Sequence, residues 1–416
     1  MFLSFRMKNY VEKERESAAK RLAQVPPPPP TATRFNILYA GPNAKALTME
    51  SLINFPPQYF SGIQLKSLYS VPTVVPKTAT TRKSVIAIIV AFSYKGVLVD
   101  LNTYWQNAIN FGPNSTPPTV NVYTMPGATA NADWAMEECL DVQMVATMNP
   151  NATIWVVEAK SDTFPDLMAA IDYATSTLKV DVISISWGMN DNSALTTYAK
   201  SFNAANTVFC AASGDCNNVS WPAVLSNCVA VGGTTLIWSP NSSTQPRTEY
   251  TWNKAGCGYS NTVSQPAYQS GVAGITHAFR AVPDVSLVAN DCTSVYSVYC
   301  GNWYGVGGTS VGTPIFASIV SLANQQRFNA GKGPLTTIAS STTNNIQNYL
   351  YKTILPNATK YAATFNDVKL GTNIGSVEGS ATRLAVYNSG TGFDLPTGLG
   401  SPNATALCTE LSTNIP

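Results

Sequence analysis

Ser310 closes a Gly-Gly-Thr-Ser turn in "GVGGTSVGTPIFASIVSLANQQR", residues 305 to 327, directly ahead of a helix-patterned run. Ile315, Phe316, Ile319, Val320 and Leu322 recur at helical spacing, and Pro314 reads as a first-turn residue. Thr309 or Ser310 is then a natural N-cap whose hydroxyl satisfies free backbone N–H groups. The competing role for Ser310 is a nucleophile, which requires a base within reach. The segment "MEECLDVQM" supplies candidates: on a helix, Glu137 and Asp141 stand four apart on one face, where their carboxyls can share a proton. The ordinary reading of two such acids is a solvated face; Leu140, Met144 and Val145 on the same helix leave room for part of that neighbourhood to be buried, and burial would raise one pKa and create a base at low pH. In "TVFCAASGDCNN", Asp215 follows a strand-like run. It is either a turn former or, when protonated, a donor to an oxyanion.

These residues need a scaffold, and the chain spells one. Runs such as "SVIAIIVAF", "VNVYTM", "TIWVVEA", "VDVISISW" and "TVFCAAS" alternate with "DLNTYWQNAIN", "DWAMEECLDVQMVATM", "FPDLMAAIDYATSTL" and "ALTTYAKSFNAAN". That rhythm predicts parallel strands with crossover helices, the α/β class, with chemistry at the carboxyl ends of the strands. Residues 1–56 read as a charged extension followed by a stiff spacer, "VPPPPPTAT", and residues 57–416 as one large body.

Composition removes several alternatives. Among 416 residues, 25 Lys and Arg stand against 23 Asp and Glu, and the net charge of +2 has no basic stripe in the body to meet a nucleic acid. The most apolar run, residues 85–92, is far shorter than the ~20 residues a membrane span needs. Eight cysteines without a CxxC pair, and one histidine, His277, leave no zinc-ligand spacing. The even cysteine count and sequons at Asn114, Asn151, Asn218, Asn241, Asn357 and Asn403 suit an extracellular or acidic, oxidising compartment. Buried thiols and unused sequons are the plain alternative, and the N-terminus has no apolar signal core.

Taken together, the motifs resemble the sedolisins, serine-carboxyl peptidases. "SLYSVP", "VIAIIV", the Glu137/Asp141 pair, "VISISWG", "AASGD", "WPAVLSNCVAVGGTTL", "AGCGYS", "RAVPDVSLVAN" and "GGTSVGTP" follow that family's order over roughly residues 57–405. The resemblance implies a subtilisin-like fold, with a mostly parallel central sheet flanked by helices and a C-terminal calcium-binding loop region. It implies an endopeptidase active in acid, with Ser310 as nucleophile, Glu137 as base, Asp141 hydrogen-bonded to Glu137, and Asp215 as oxyanion donor. Ser186, Trp187 and Gly188 would lie along the substrate. "FNDVKLG" and "GTGFDLPTGLGSP" resemble the family's calcium site, with the carboxylates of Asp367 and Asp394 and the carbonyls of Val368, Gly390 and Gly392 around one ion. The implied partners are protein or peptide substrates of a monomer. Two other readings stand beside it: a tripeptidyl exopeptidase of the same family, and a catalytically silent binding protein on the same fold.

Three departures bear on the resemblance. Val90 stands where some relatives have a supporting Glu, and Cys216 stands where relatives tend to have Ser, open to a bridge with Cys228. The roughly 60 residues ahead of the body are short for a folding prosegment.

Overall fold

Seven parallel strands carry the site. In the computed structural model, which describes residues 59–107, 109–215, 217–239, 247–293, 295–338, 344–377 and 384–415, they are β1 (Val85–Ala91), β2 (Val120–Thr124), β3 (Thr153–Ala159), β4 (Val182–Ile185), β5 (Val208–Ala212), β6 (Cys228–Trp238) and, after an antiparallel β7 (Arg247–Thr251), β8 (Val285–Val288). Their order across the sheet is β8-β6-β5-β4-β1-β3-β2, with β7 paired to β6. The extension and spacer, Cys216 and the sequon at Asn241 lie outside the described residues.

The strands read as continuous apolar runs because both faces are covered. In β1 every residue after Val85 is buried, and its β-branched side chains suit a strand packed on two sides. The covering helices are α1 (Val97–Trp105), α2 (Ala132–Met148), α3 (Phe164–Ser176) and α4 (Thr309–Asn329). α2 packs on β1 and β3, and α4 lies against α2 and against β4, β5, β6 and β8.

Some boundaries differ from the pattern-based expectation. α1 begins at Val97, three residues before "DLNTYWQNAIN", and ends at Trp105. The stretch expected as an amphipathic crossover, "ALTTYAKSFNAAN", forms 3₁₀ turns over Ser193–Phe202. Local hydroxyl bonds, such as Thr196 Oγ1 to the Ser193 carbonyl at 2.8 Å, compete there with a regular helix. Cys139, Cys210, Cys228, Cys257 and Cys408 are buried thiols, so Cys228 forms no bridge and the disulfide framework is not what these cysteines build. No helix among the described residues is long and apolar enough to cross a membrane.

Candidate active site

α2 starts at Asn131, whose side chain accepts the N–H groups of Asp133 and Trp134 at 2.9 and 3.3 Å. From Glu137 to Met148 every residue of the helix is buried. The solvated-face reading of its acids therefore fails: Glu137 is 2% exposed and Asp141 0%. Ser186 leaves the carboxyl end of β4 and donates its Oγ to Asp141 Oδ1 at 2.8 Å. Its carbonyl accepts Ser310 Oγ at 3.2 Å. A buried set of Glu137, Asp141, Ser186 and Ser310 results.

The electrostatics follow from burial. Glu137 is pushed well above the carboxylate range by burial and then by the Asp141 charge, with the nearby Ser310 hydroxyl pulling the other way. Burial lifts Asp141 to about 8 against the bond from Ser186. Glu137 Oε1 and Asp141 Oδ2 have no hydrogen-bond partner among the described residues. One proton shared between the two acids would satisfy both orphaned oxygens and leave a single charge in the pair.

Asp215 comes from the carboxyl end of β5, next to β4. Its Oδ1 accepts both the N–H and the Oγ1 hydroxyl of Thr309, each at 2.8 Å. Oδ2 is thereby left as the oxygen to carry a proton. Burial raises this carboxyl to about 6, opposed by the two Thr309 bonds and by Lys254, with Asp291 adding to the rise.

The capping reading of Thr309 or Ser310 is overturned. The N-cap of α4 is Gly308, at φ 124°, with no side-chain cap bond. Both hydroxyls are spent elsewhere, Thr309 on Asp215 and Ser310 on Ser186. Pro314 is the sixth residue of the helix rather than a first-turn residue, and its missing N–H frees the Ser310 carbonyl from the helical ladder.

The expected substrate strand is turned inward at its side chains. Trp187 is 2% exposed and donates its indole N–H to the Ile89 carbonyl at 2.8 Å. Gly188 packs so closely that a Cβ would stand 2.6 Å from the Trp221 carbonyl. The side chains of Ser186 and Trp187 are thus committed to the interior. Pattern reading also passed over Glu138, buried beside Glu137, and Glu158, which lies in register with Val90 on the neighbouring strand. Their signal was present in a helix and a strand whose apolar residues leave no polar face.

At the C-terminal end, Asp367 and Asp394 draw together two loops. Asp367 accepts the Gly392 N–H through both oxygens at 3.1 Å, and Tyr361 OH lies 3.0 Å from its Oδ1. Asp394 accepts the N–H groups of Gly390 at 2.9 Å and Thr397 at 2.8 Å. Burial is the main cause that pushes Asp394 up to about 7, and Asp367 adds to it. The one cation beside them is Lys369 Nζ, 3.4 Å from Asp367 Oδ2 and 55% exposed, among the described ion pairs. Two carboxylates on adjoining loops, with the Gly392 carbonyl 3.3 Å from the Tyr361 hydroxyl that also meets Asp367, are hard-oxygen donors of the kind that suits calcium. No group of three or more His, Cys, Asp or Glu that could hold a metal occurs among the described residues, so such a site must draw on carbonyls.

Sheet order and buried cluster together set a serine among buried carboxyls on a subtilisin-like scaffold. The chain belongs to the subtilase family, whose profile matches residues 124–379, as a sedolisin-type member. It is 27% identical to sedolisin of Pseudomonas sp. (strain 101) over 71% of this chain and 53% of that protein. To kumamolisin of Bacillus sp. (strain MN-32) it is 29% identical over 63% and 48%, and to tripeptidyl-peptidase 1 of Dictyostelium discoideum 26% over 67% and 47%. The chain thus spans about half the length of the curated relatives it matches. The structure of Pseudomonas sedolisin complexed with pseudo-iodotyrostatin superposes with a TM-score of 0.68 at 23% identity, over 86% of this chain and 100% of that one, a likeness of fold.

Proposed function

We propose that the chain is a serine-carboxyl endopeptidase that works in acid. The observation that carries this reading is the bridge that Ser186 makes in the buried set: its carbonyl accepts the Ser310 hydroxyl and its own hydroxyl donates to Asp141, with Glu137 buried on the same helix as Asp141. Ser310 Oγ attacks the peptide carbonyl as Glu137 takes its proton, and the C–N bond breaks as Glu137 returns that proton to the leaving amine. Asp141 holds the second proton of the pair and keeps Glu137 oriented. The tetrahedral oxyanion takes hydrogen bonds from protonated Asp215 and the Ser310 N–H. Water then repeats the sequence on the acyl-enzyme.

One calcium ion belongs to the same reading, held by the carboxylates of Asp367 and Asp394 and the carbonyls of Val368, Gly390 and Gly392. It would supply cross-linking charge to the loops and take no part in the chemistry. An acidic or extracellular compartment and a monomeric state are the settings this chemistry fits.

The test is cleavage of an unfolded protein and a quenched peptide library from about pH 3 to 7, wild type against Ser310→Ala. Cleavage confined to the acid range and lost in the variant is expected. Products then tell internal cuts from tripeptides released at the N-terminus. Folded wild-type protein that cuts nothing at any pH would leave the silent binding protein as the reading.

A further inference from the structure

Ser220 is 2% exposed and stands between two glycines that flank the buried set. On one side is Gly188, two residues beyond Ser186 at the end of β4; a Cβ there would stand 3.1 Å from Ser220 Cβ and 3.5 Å from its Oγ. On the other is Gly214, beside Asp215 at the end of β5 and at φ 114°, where a Cβ would stand 2.5 Å from Ser220 Oγ. The room that two missing side chains leave between adjacent strand ends is taken up by a third residue.

The backbone holds Ser220 in place. Four residues, 216–219, separate it from Asp215, so the chain doubles straight back onto the strand it has left. Ser220 N–H donates to the Ser213 carbonyl at 3.0 Å, and Asp191 N–H to the Val219 carbonyl at 3.3 Å. Ser220–Trp221 also pairs antiparallel with Met189–Asn190, the continuation of β4 past Gly188. The Trp221 ring meets Phe164 and Phe202 edge-on, at centroid distances of 5.2 and 5.4 Å. A close-packed support of this kind yields little to an inserted group.

The bond to be cut belongs beside this gap. Ser310 Oγ lies 3.2 Å from the Ser186 carbonyl, on the β4 side, and the oxyanion donor Asp215 comes from the β5 side. A peptide carbonyl attacked by Ser310 with its oxygen turned to Asp215 therefore bridges the ends of these two strands. We propose that the side chain of the residue owning that carbonyl enters the gap between Gly188 and Gly214, where Ser220 limits it to the smallest groups. The peptidase then cuts after Gly, Ala or Ser, and Ser220 is its specificity-determining residue. A larger side chain must push Ser220 against its aromatic support or lift the carbonyl off Ser310, and a misplacement of about 1 Å costs about 10²-fold in rate. The inference rests on the peptidase reading and adds the substrate class to it.

The test uses the full chain at acid pH and quenched peptides that differ only in the residue before the cleaved bond: Gly, Ala, Ser, Val, Leu or Phe, with products identified by mass. kcat/KM for Ala is expected to exceed that for Leu and Phe by about 10²-fold. Ser220→Gly removes the obstructing Cβ and Oγ and should raise Val relative to Ala by about tenfold. Equal cleavage after Phe and Ala would overturn the proposal, because the side chain then turns to solvent. A Val-to-Ala ratio unchanged in Ser220→Gly would overturn it too, because another residue then sets the limit. Should Ser220→Gly fail to fold, the wild-type ranking decides. A wild type that cuts none of the peptides strikes the peptidase reading, and the gap is then judged from calorimetric affinities of the same peptides for Ser310→Ala. Binding of the Ala peptide tighter than the Phe peptide by about tenfold upholds the closed gap, and equal binding overturns it.

Discussion

In the proposed reaction Asp215 is useful only while it holds a proton, and its surroundings decide how long that lasts. Oδ1 is committed to Thr309, so the hydrogen that reaches an oxyanion sits on Oδ2. Burial lifts the carboxyl to about 6, which means that the donor form is present below that pH and is lost as pH rises through it. Asn can imitate the protonated acid, with Oδ1 accepting from Thr309 and Nδ2 donating. Asp215→Asn is therefore expected to retain measurable cleavage and to lose the decline in kcat near pH 6, whereas Asp215→Ala should lose about 10²- to 10³-fold in kcat at every acid pH. A decline near pH 6 that persists in the Asn variant would assign that limb to another group. This residue was legible as a turn Asp at a strand end, but Thr309, its partner, was not. A hydroxyl at the head of a helix reads as a cap, and only the fold shows it turned to a loop 94 positions away in sequence.

Helix α4 shows what an element needs in order to present Ser310 as the proposed nucleophile. A side-chain cap at Ser310 would have used up the hydroxyl, and the turn instead ends on Gly308 at φ 124°, where an L side chain is strained. A Cβ on Gly308 would also stand 2.8 Å from Asp215 Oδ2. Gly308→Ala should consequently cost about 1–3 kcal/mol of stability and displace the Asp215 carboxyl, with kcat/KM falling at least tenfold on the scale of a misplaced catalytic group. Denaturant midpoints and kinetics on the same preparation check both; an unchanged kcat/KM would show that Asp215 has room to yield. The parallel strands were legible because β-branched runs buried on two faces have few other ways to fold. Helix α2 was legible as a helix, but the burial of its acids was not. Glu137, Glu138 and Asp141 lie within one arc of a helix enclosed all round, and acids grouped in that way read as a solvated face.

At the scale of the molecule, the C-terminal loops close the structure on itself, and that makes the calcium reading a question of global stability. The segment around Asp394 is tied to the edge strand β8: Leu399 N–H donates to the Asp284 carbonyl at 2.8 Å, and Ser286 N–H to the Gly400 carbonyl at 3.0 Å. A few residues on, Ala404 N–H donates to the Tyr69 carbonyl at 2.8 Å, joining the end of the body to its beginning. An ion between Asp367 and Asp394 would brace all of these, and the exposed Lys369 is free to turn into solvent and make way for it. Because an ion bound only by the folded state stabilises it by about 2.7 kcal/mol at a hundred times its Kd, chelation should lower the unfolding midpoint by on the order of 5 °C. Added calcium should restore it, and Asp394→Asn should melt low and ignore both treatments. Superimposable melting curves with and without chelator, together with no calcium by elemental analysis, would mean that the Tyr361, Gly390, Gly392 and Thr397 bonds hold the loops without a metal.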